Sequence, residues 1–309
     1  MIKKVVFVFS FLLSFSMYLN LQAQDHTQEK LIVTASFSIL GDVIKNVGGN
    51  LVTVNVIVGP NQDTHVYKPT PDDNVLIVNS DLVIINGLSF ETWFERLVSA
   101  SGYTKPVIVA SQGISFHKMM EPQISSEPVP DPHVWNDVRH VITWVYNIKK
   151  ALQNLDPKNA STYEQNAALY LKELKKLDQW IKDQFKDIPK ESCKVITAHD
   201  AFNYFEKAYG LVFLSPQGLS TTDEPSAHEM ASLTLQIKKE KITTVFVENI
   251  SSQRLIKQLA SETGAKIGGT LYSDALSTPE EPASTYIKLM QSNAQTLAQS
   301  LGCIVSPLQ

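Results

Sequence analysis

The stretch from Asp156 to Ile188, DPKNASTYEQNAALYLKELKKLDQWIKDQFKDI, constrains the fold more than any other part of the chain. Its apolar residues recur at Ala160, Tyr163, Ala167, Tyr170, Leu174, Leu177, Ile181, Phe185 and Ile188, in steps of three and four. That spacing is a helical stripe. Asp156 is placed to cap the first free N–H groups, Pro157 sits where a helix tolerates proline best, and Pro189 stops the run. At ~1.5 Å per residue the helix reaches on the order of 45 Å, enough to span a domain. Glu173, Lys175, Lys176, Asp178, Lys182 and Asp183 fall between the stripe positions and predict an exposed opposite face. The alternative is one more helix of a single domain. The flanks favour a rigid spacer between two lobes, because each reads as its own series of alternating strands and helices.

Before the spacer the strands are LIVTA (31–35), LVTVNVIV (51–58), DLVIIN (81–86) and PVIVA (106–110), with helices at 39–47, 71–79, 90–100 and 136–155. Residues 111–132 form a polar, proline-rich loop with no clear element. After it, KVITA (194–198), LVFLS (211–215), TTVFVE (243–248) and KIGGTLY (266–272) are strands, and 201–209, 225–240, 252–263 and 282–301 are helices. Near-continuous apolar strands separated by helices are the signature of a parallel sheet covered on both faces. The expected architecture is therefore α/β: two βα lobes with parallel sheets, 24–155 and 189–309, joined by one long rigid helix, 156–188. No sequence repeat relates the lobes.

Met1 to Ala23 reads as a signal peptide, with Lys3 and Lys4 ahead of a nearly apolar run and a small residue at the expected cut near Ala23. A retained anchor is the alternative, but the run falls short of the ~20 residues a spanning helix needs. With no cysteine near the cut, a lipid anchor is not expected. Cleavage leaves 25 basic residues against 31 acidic, a net charge of −6 with histidines neutral. No basic run or stripe points to nucleic acid. Cys193 and Cys303 are the only cysteines; export permits a disulfide between them, and two free thiols are the alternative.

His65 lies seven residues beyond the end of a strand, His199 directly follows KVITA, and Asp274 follows KIGGTLY by two residues. Ligands of open parallel sheets bind at the carboxyl ends of strands, and three candidates from two lobes all fall there. His133, just before a helix, suits a loop at the same rim. Three imidazoles and one carboxylate suit zinc or a similar divalent ion. Spacing alone does not establish the set. His26, His117, His140 and His228 read as surface or satisfied residues. Asp63, Asp137, Asp200 and Glu248 are available as outer partners of the histidines, although turn or cap roles fit each of them, and Trp135 reads as packing that excludes water.

The segments DTHVYKPTPDD, NGLSFETWFERL, PDPHVWNDV, TAHDAFNYF, DEPSAHEM and LYSDALS resemble, in that order, the metal-binding solute receptors of bacterial zinc/manganese ABC importers, the TroA/ZnuA-like family. The resemblance runs from about Leu31 to Leu301. It implies a metal site in the interlobe cleft with His65, His133, His199 and Asp274 as ligands, one ion per chain, a permease as partner, a periplasmic monomer and no enzymatic activity. Zinc is the expected cargo, with manganese or iron as alternatives. The chain departs from the family pattern at Thr64, usually proline, and at Lys68, usually an acid, whose positive charge is expected to lower affinity slightly. It lacks the histidine-rich loop of zinc-dedicated members, and it carries His199 where manganese-dedicated members usually have glutamate. An exported metallohydrolase with Asp274 as base is the competing class, without a compact zinc-hydrolase motif to support it. A surface adhesin is a third reading, which the missing lipid anchor argues against.

Overall fold

In the computed structural model, residues 29–309 are described except for 120–124, 189–193, 223–224, 303–306 and 309. The Met1–Ala23 segment read as a signal peptide, His26, Pro189 and both cysteines therefore lie outside the described residues. Residues 31–309 form one compact unit. Among the described residues no helix is long and apolar enough to cross a membrane.

The first lobe contains β1 (Leu31–Phe37), α1 (Ser38–Gly48), β2 (Val52–Val58), α2 (Pro71–Val78), β3 (Leu82–Ile85), α3 (Phe94–Ser101) and β4 (Val107–Val109). All its strand pairs are parallel, in the order β2-β1-β3-β4. The loop after β4 contains a short antiparallel ribbon, β5 (Lys118–Met119) with β6 (Val129–Pro130), where no element was expected. Then come α4 (Val138–Leu155) and the long helix α5 (Ala160–Phe185).

The second lobe contains β7 (Lys194–Ile196), α6 (Asn203–Tyr209), β8 (Val212–Leu214), α7 (Ala227–Glu240), β9 (Thr244–Glu248), α8 (Arg254–Thr263), β10 (Lys266–Leu271) and α9 (Tyr286–Ser300). Its strands are again parallel, in the order β8-β7-β9-β10. Numbered within each lobe, both sheets run 2-1-3-4. The two halves share a topology that no sequence repeat announces.

The long helix has 26 residues, about 39 Å at 1.5 Å per residue, and is shorter than expected at both ends. Pro157–Asn159 forms a 3-10 turn ahead of it. Asp156 does not cap through its side chain; its Oδ2 accepts from Tyr163 Oη at 2.8 Å and Asn159 Nδ2 at 2.6 Å. The stripe from Tyr163 to Phe185 is buried, and Glu173, Lys175, Lys176 and Asp183 are exposed. α5 packs on α1, α4 and α9, so it is walled by helices from both ends of the chain. Its buried face belongs to one continuous core that runs from Val33 through Leu177 to Phe205 and Leu297. A second, smaller core lies in the second lobe and includes Ile196, Met230, Ile237, Val245 and Leu259.

The helix expected from Phe90 begins only at Phe94. Just ahead of it Gly87, Leu88 and Ser89 stand at φ of +85°, +56° and +63°, a left-handed run, and residues 90–93 continue as bends and turns before the helix begins. Gly87 has no substitute there, since a Cβ would come within 2.5 Å of Val109 Cγ1.

Leu177 has no exposed surface. Leu177→Ala should destabilise the fold by about 2–5 kcal/mol, whereas the exposed Lys175→Ala should change stability by less than about 0.5 kcal/mol. Urea unfolding of the two variants checks this, and equal losses would show that α5 is not anchored by its stripe.

Candidate metal centre

His65 sits on the loop after β2, His133 between β6 and a 3-10 turn (Val134–Asn136), His199 after β7, and Asp274 after β10. The structure brings these four together, each offering one ligand atom, with the four atoms within 4.8 Å of one another. His65 Nε2 lies 3.2 Å from His133 Nε2 and 3.2 Å from Asp274 Oδ2. His199 Nε2 lies 3.1 Å from Asp274 Oδ2, and His133 Nε2 lies 3.7 Å from Asp274 Oδ1. His133, His199 and Asp274 are fully buried, and His65 is 8% exposed.

Two of the imidazoles are oriented by carboxylates. His133 Nδ1 donates to Asp131 Oδ1 at 2.9 Å, and His199 Nδ1 lies 2.7 Å from Glu248 Oε2. A donor proton on each Nδ1 leaves Nε2 as a bare acceptor aimed at the common centre. Glu248 Oε1 also accepts from the backbone N–H groups of Ala198 and His199, so one side chain fixes both the loop and the ring. His65 and His133 are held by the same local device: the N–H of each donates to the carboxylate two residues earlier, Asp63 at 2.9 Å and Asp131 at 3.0 Å.

Of the four proposed outer partners, Glu248 reaches an imidazole. Asp63 forms the turn at His65, Asp137 caps α4 and pairs with Arg139, and Asp200 accepts from Ser215. Asp131 was missed. Its signal was the Asp-x-His pattern shared by Asp63-Thr64-His65 and Asp131-Pro132-His133.

The NGLSFETW segment braces the first-lobe half of the site. Glu91, buried, accepts from Ser36 Oγ at 2.6 Å and from the N–H groups of Asn86 and Gly87, which locks the left-handed turn. The turn delivers Phe90 edge-on to His65, with ring centroids 4.9 Å apart. Asn86 Nδ2 donates to Pro132 O, and Trp93 Nε1 donates to Thr64 O, each at 3.0 Å beside a histidine. From the other side Trp135, fully buried, donates to Ser273 O at 2.6 Å and so ties the His133 segment to the Asp274 loop.

His117, His140 and His228 lie outside the cluster. His117 stacks on Tyr204 with Nδ1 3.0 Å from Lys207 Nζ, His140 meets the edge of the same ring, and His228 is exposed. Lys68 is also exposed.

Burial, helped by the neighbouring His133 and His199, pulls the His65 imidazole below its ordinary range despite Asp274. Burial also disfavours a cation on His199, but the Glu248 and Asp274 carboxylates outweigh it and hold that imidazole well above its ordinary range. Asp274 is held well below the carboxylate range, because His133 and His199 overcome the effect of burial. His65 Nε2 and His133 Nε2 stand 3.2 Å apart, a contact that needs a proton or a cation between the two nitrogens, and Asp274 Oδ1 is buried with no hydrogen-bond partner. A small divalent cation satisfies all of these at once. Three nitrogens and one oxygen are a complete tetrahedral set.

The sequence family described as "Zinc-uptake complex component A periplasmic" matches residues 33–300. The iron-binding protein YfeA of Yersinia pestis is 34% identical over 278 residues, covering 89% of this chain and 88% of YfeA. The manganese-binding lipoprotein MntA of Halalkalibacterium halodurans is 32% identical, with 88% and 89% covered. The solved periplasmic zinc-binding protein TroA of Treponema pallidum superposes with a TM-score of 0.83 at 29% identity, covering 88% of this chain and 99% of TroA.

Asp131→Asn should lower divalent-metal affinity by about 10–100-fold, because the His133 ring loses the carboxylate that sets its tautomer and angle. Isothermal titration with zinc and manganese measures it; wild-type affinity for both ions would show that Asp131 only shapes its loop.

Proposed function

This chain belongs to the family of metal-binding receptors of bacterial ABC importers, and on that premise we propose that His65, His133, His199 and Asp274 together capture one zinc ion outside the cytoplasm and surrender it to a membrane permease. The observation that carries this reading is the convergence of the four donor atoms, two from each half of the chain, in a buried pocket. The task is binding and release. A catalytic zinc site keeps a position open for water or substrate, and here the fourth position is taken by Asp274. The ion is cargo, so its departure is part of the function. Export by the Met1–Ala23 segment and a monomeric state belong to the same reading.

Zinc is favoured by the donor set. Imidazole nitrogen suits zinc better than manganese, and the divalent affinity series runs the same way. The relatives' names span iron, manganese and zinc, so manganese and iron are the competing cargoes, and supply can override affinity. Metal analysis of protein taken from its native compartment distinguishes them.

An ion that binds only the folded chain stabilises it, by about 2.7 kcal/mol at a hundredfold excess over the dissociation constant. His133→Ala and Asp274→Ala should each remove most of this gain in a thermal melt while leaving a metal-free protein that still folds. A variant that cannot fold without metal would mark the residue as structural.

His199→Glu tests the selectivity argument. Replacing an imidazole with a carboxylate leaves two nitrogens and two acids, and a harder donor set suits manganese better. Zinc affinity should fall by more than manganese affinity in competition titrations. An unchanged zinc-to-manganese ratio would remove His199 as a determinant of selectivity.

A further inference from the structure

The loop between β2 and α2 belongs to the first lobe and carries His65, yet it is fastened to the second lobe at two residues: Asp63, whose Oδ2 accepts from Thr221 Oγ1, and Asn61, which makes three of the bonds. Asn61 stands at φ +54°, a left-handed conformation that asparagine tolerates better than most side chains. From there its backbone N–H donates to Leu276 O at 2.9 Å. Its Nδ2 donates to Glu281 Oε2 at 2.7 Å, and its Oδ1 accepts from Asn249 Nδ2 at 2.9 Å. The three partners are placed pointedly. Leu276 lies two residues beyond Asp274, and Asn249 directly follows Glu248, the carboxylate that orients His199. Asn249 Nδ2 also donates to Ala275 O at 3.1 Å, which joins the β9 end to the Asp274 loop.

Asn61 touches none of the four donors, so it does not define which ion fits. It spans the seam between the segments that hold them. The Asn61–Glu281 bond is exposed and the Asn61–Asn249 bond is half-buried, so both lie where water can replace them as the halves part. Movement of His65 away from Asp274 strains the Asn61 contacts, together with the Asp63–Thr221 bond, as the seam opens. Resting on the receptor reading above, we infer that Asn61 is a positioning residue that sets how fast the metal escapes: a cross-lobe clasp whose loss speeds release without altering the choice of ion.

The test is stopped-flow transfer of zinc, and separately manganese, from the loaded full chain to a chromogenic chelator. Asn61→Gly keeps the left-handed backbone and its N–H bond but removes both side-chain bonds. Release of either ion should accelerate about tenfold, with the zinc-to-manganese affinity ratio unchanged. Asn61→Asp keeps the acceptor for Asn249 and sets a second carboxylate against Glu281. It should release faster still at low salt, the excess should shrink as ionic strength rises, and adding Glu281→Gln should restore slower release. A residue that merely shaped the loop would show neither the salt dependence nor the rescue. Wild-type release rates in both Asn61 variants would overturn the clasp while leaving the receptor intact. A changed ion ratio would make Asn61 part of selectivity instead. A wild-type chain that takes up neither ion would overturn both readings.

Discussion

Donor atoms prepared for a cation repel one another while the cation is absent. Three imidazoles and the Asp274 carboxylate are held within a few ångströms, in a place nearly closed to water, and every nearby feature works against their dispersal. Asp131 and Glu248 fix two rings by their far nitrogens. Phe90 and Trp135 wall the pocket with aromatic surface, and their own positions depend on Glu91 and Ser273. Fixed in this way, the four side chains present their donor atoms to one centre without rebuilding.

Such readiness requires stiffness between the halves, and the long helix supplies it by being inside the protein. α5 is packed by α1, α4 and α9, and its stripe is part of the core that continues into both sheets. Leu174, Leu177 and Ile181 therefore hold the ligand-bearing loops in register from a distance. Direct hydrogen bonds between the halves, such as Asn136 Nδ2 to Ala201 O and Tyr286 Oη to Trp135 O, add to the same effect.

Much of this was legible in residue order, because helical and strand periods report burial directly. The Tyr163–Phe185 stripe, the eight parallel strands and the grouping of His65, His199 and Asp274 at strand ends all follow from patterns that local sequence carries. What escaped depended on backbone geometry or tertiary partners. α3 starts late because residues 90–93 are spent on bends and turns that follow a left-handed run, two of whose members, Leu88 and Ser89, are types that give no warning of that conformation. Asp156 looked like a cap and became the partner of Tyr163, because a buried hydroxyl outbid the helix end for its carboxylate. Asp131 hid inside a proline-rich loop, since its role exists only once His133 is turned toward it. The common 2-1-3-4 strand order is invisible because topology constrains where a strand lies and not which apolar residue fills it.

The smaller core of the second lobe also bears on how the pocket is held. Its residues include Ile196 and Ala198, which lead into His199, and Val247, which precedes Glu248. α7 and α8 are sheltered by that core and not by the larger one. His65 and His133, by contrast, stand on segments rooted in the larger core. The pocket thus draws its walls from two packing layers. His199 and its partner Glu248 are rooted partly in a different packing layer from the one that holds His65 and His133.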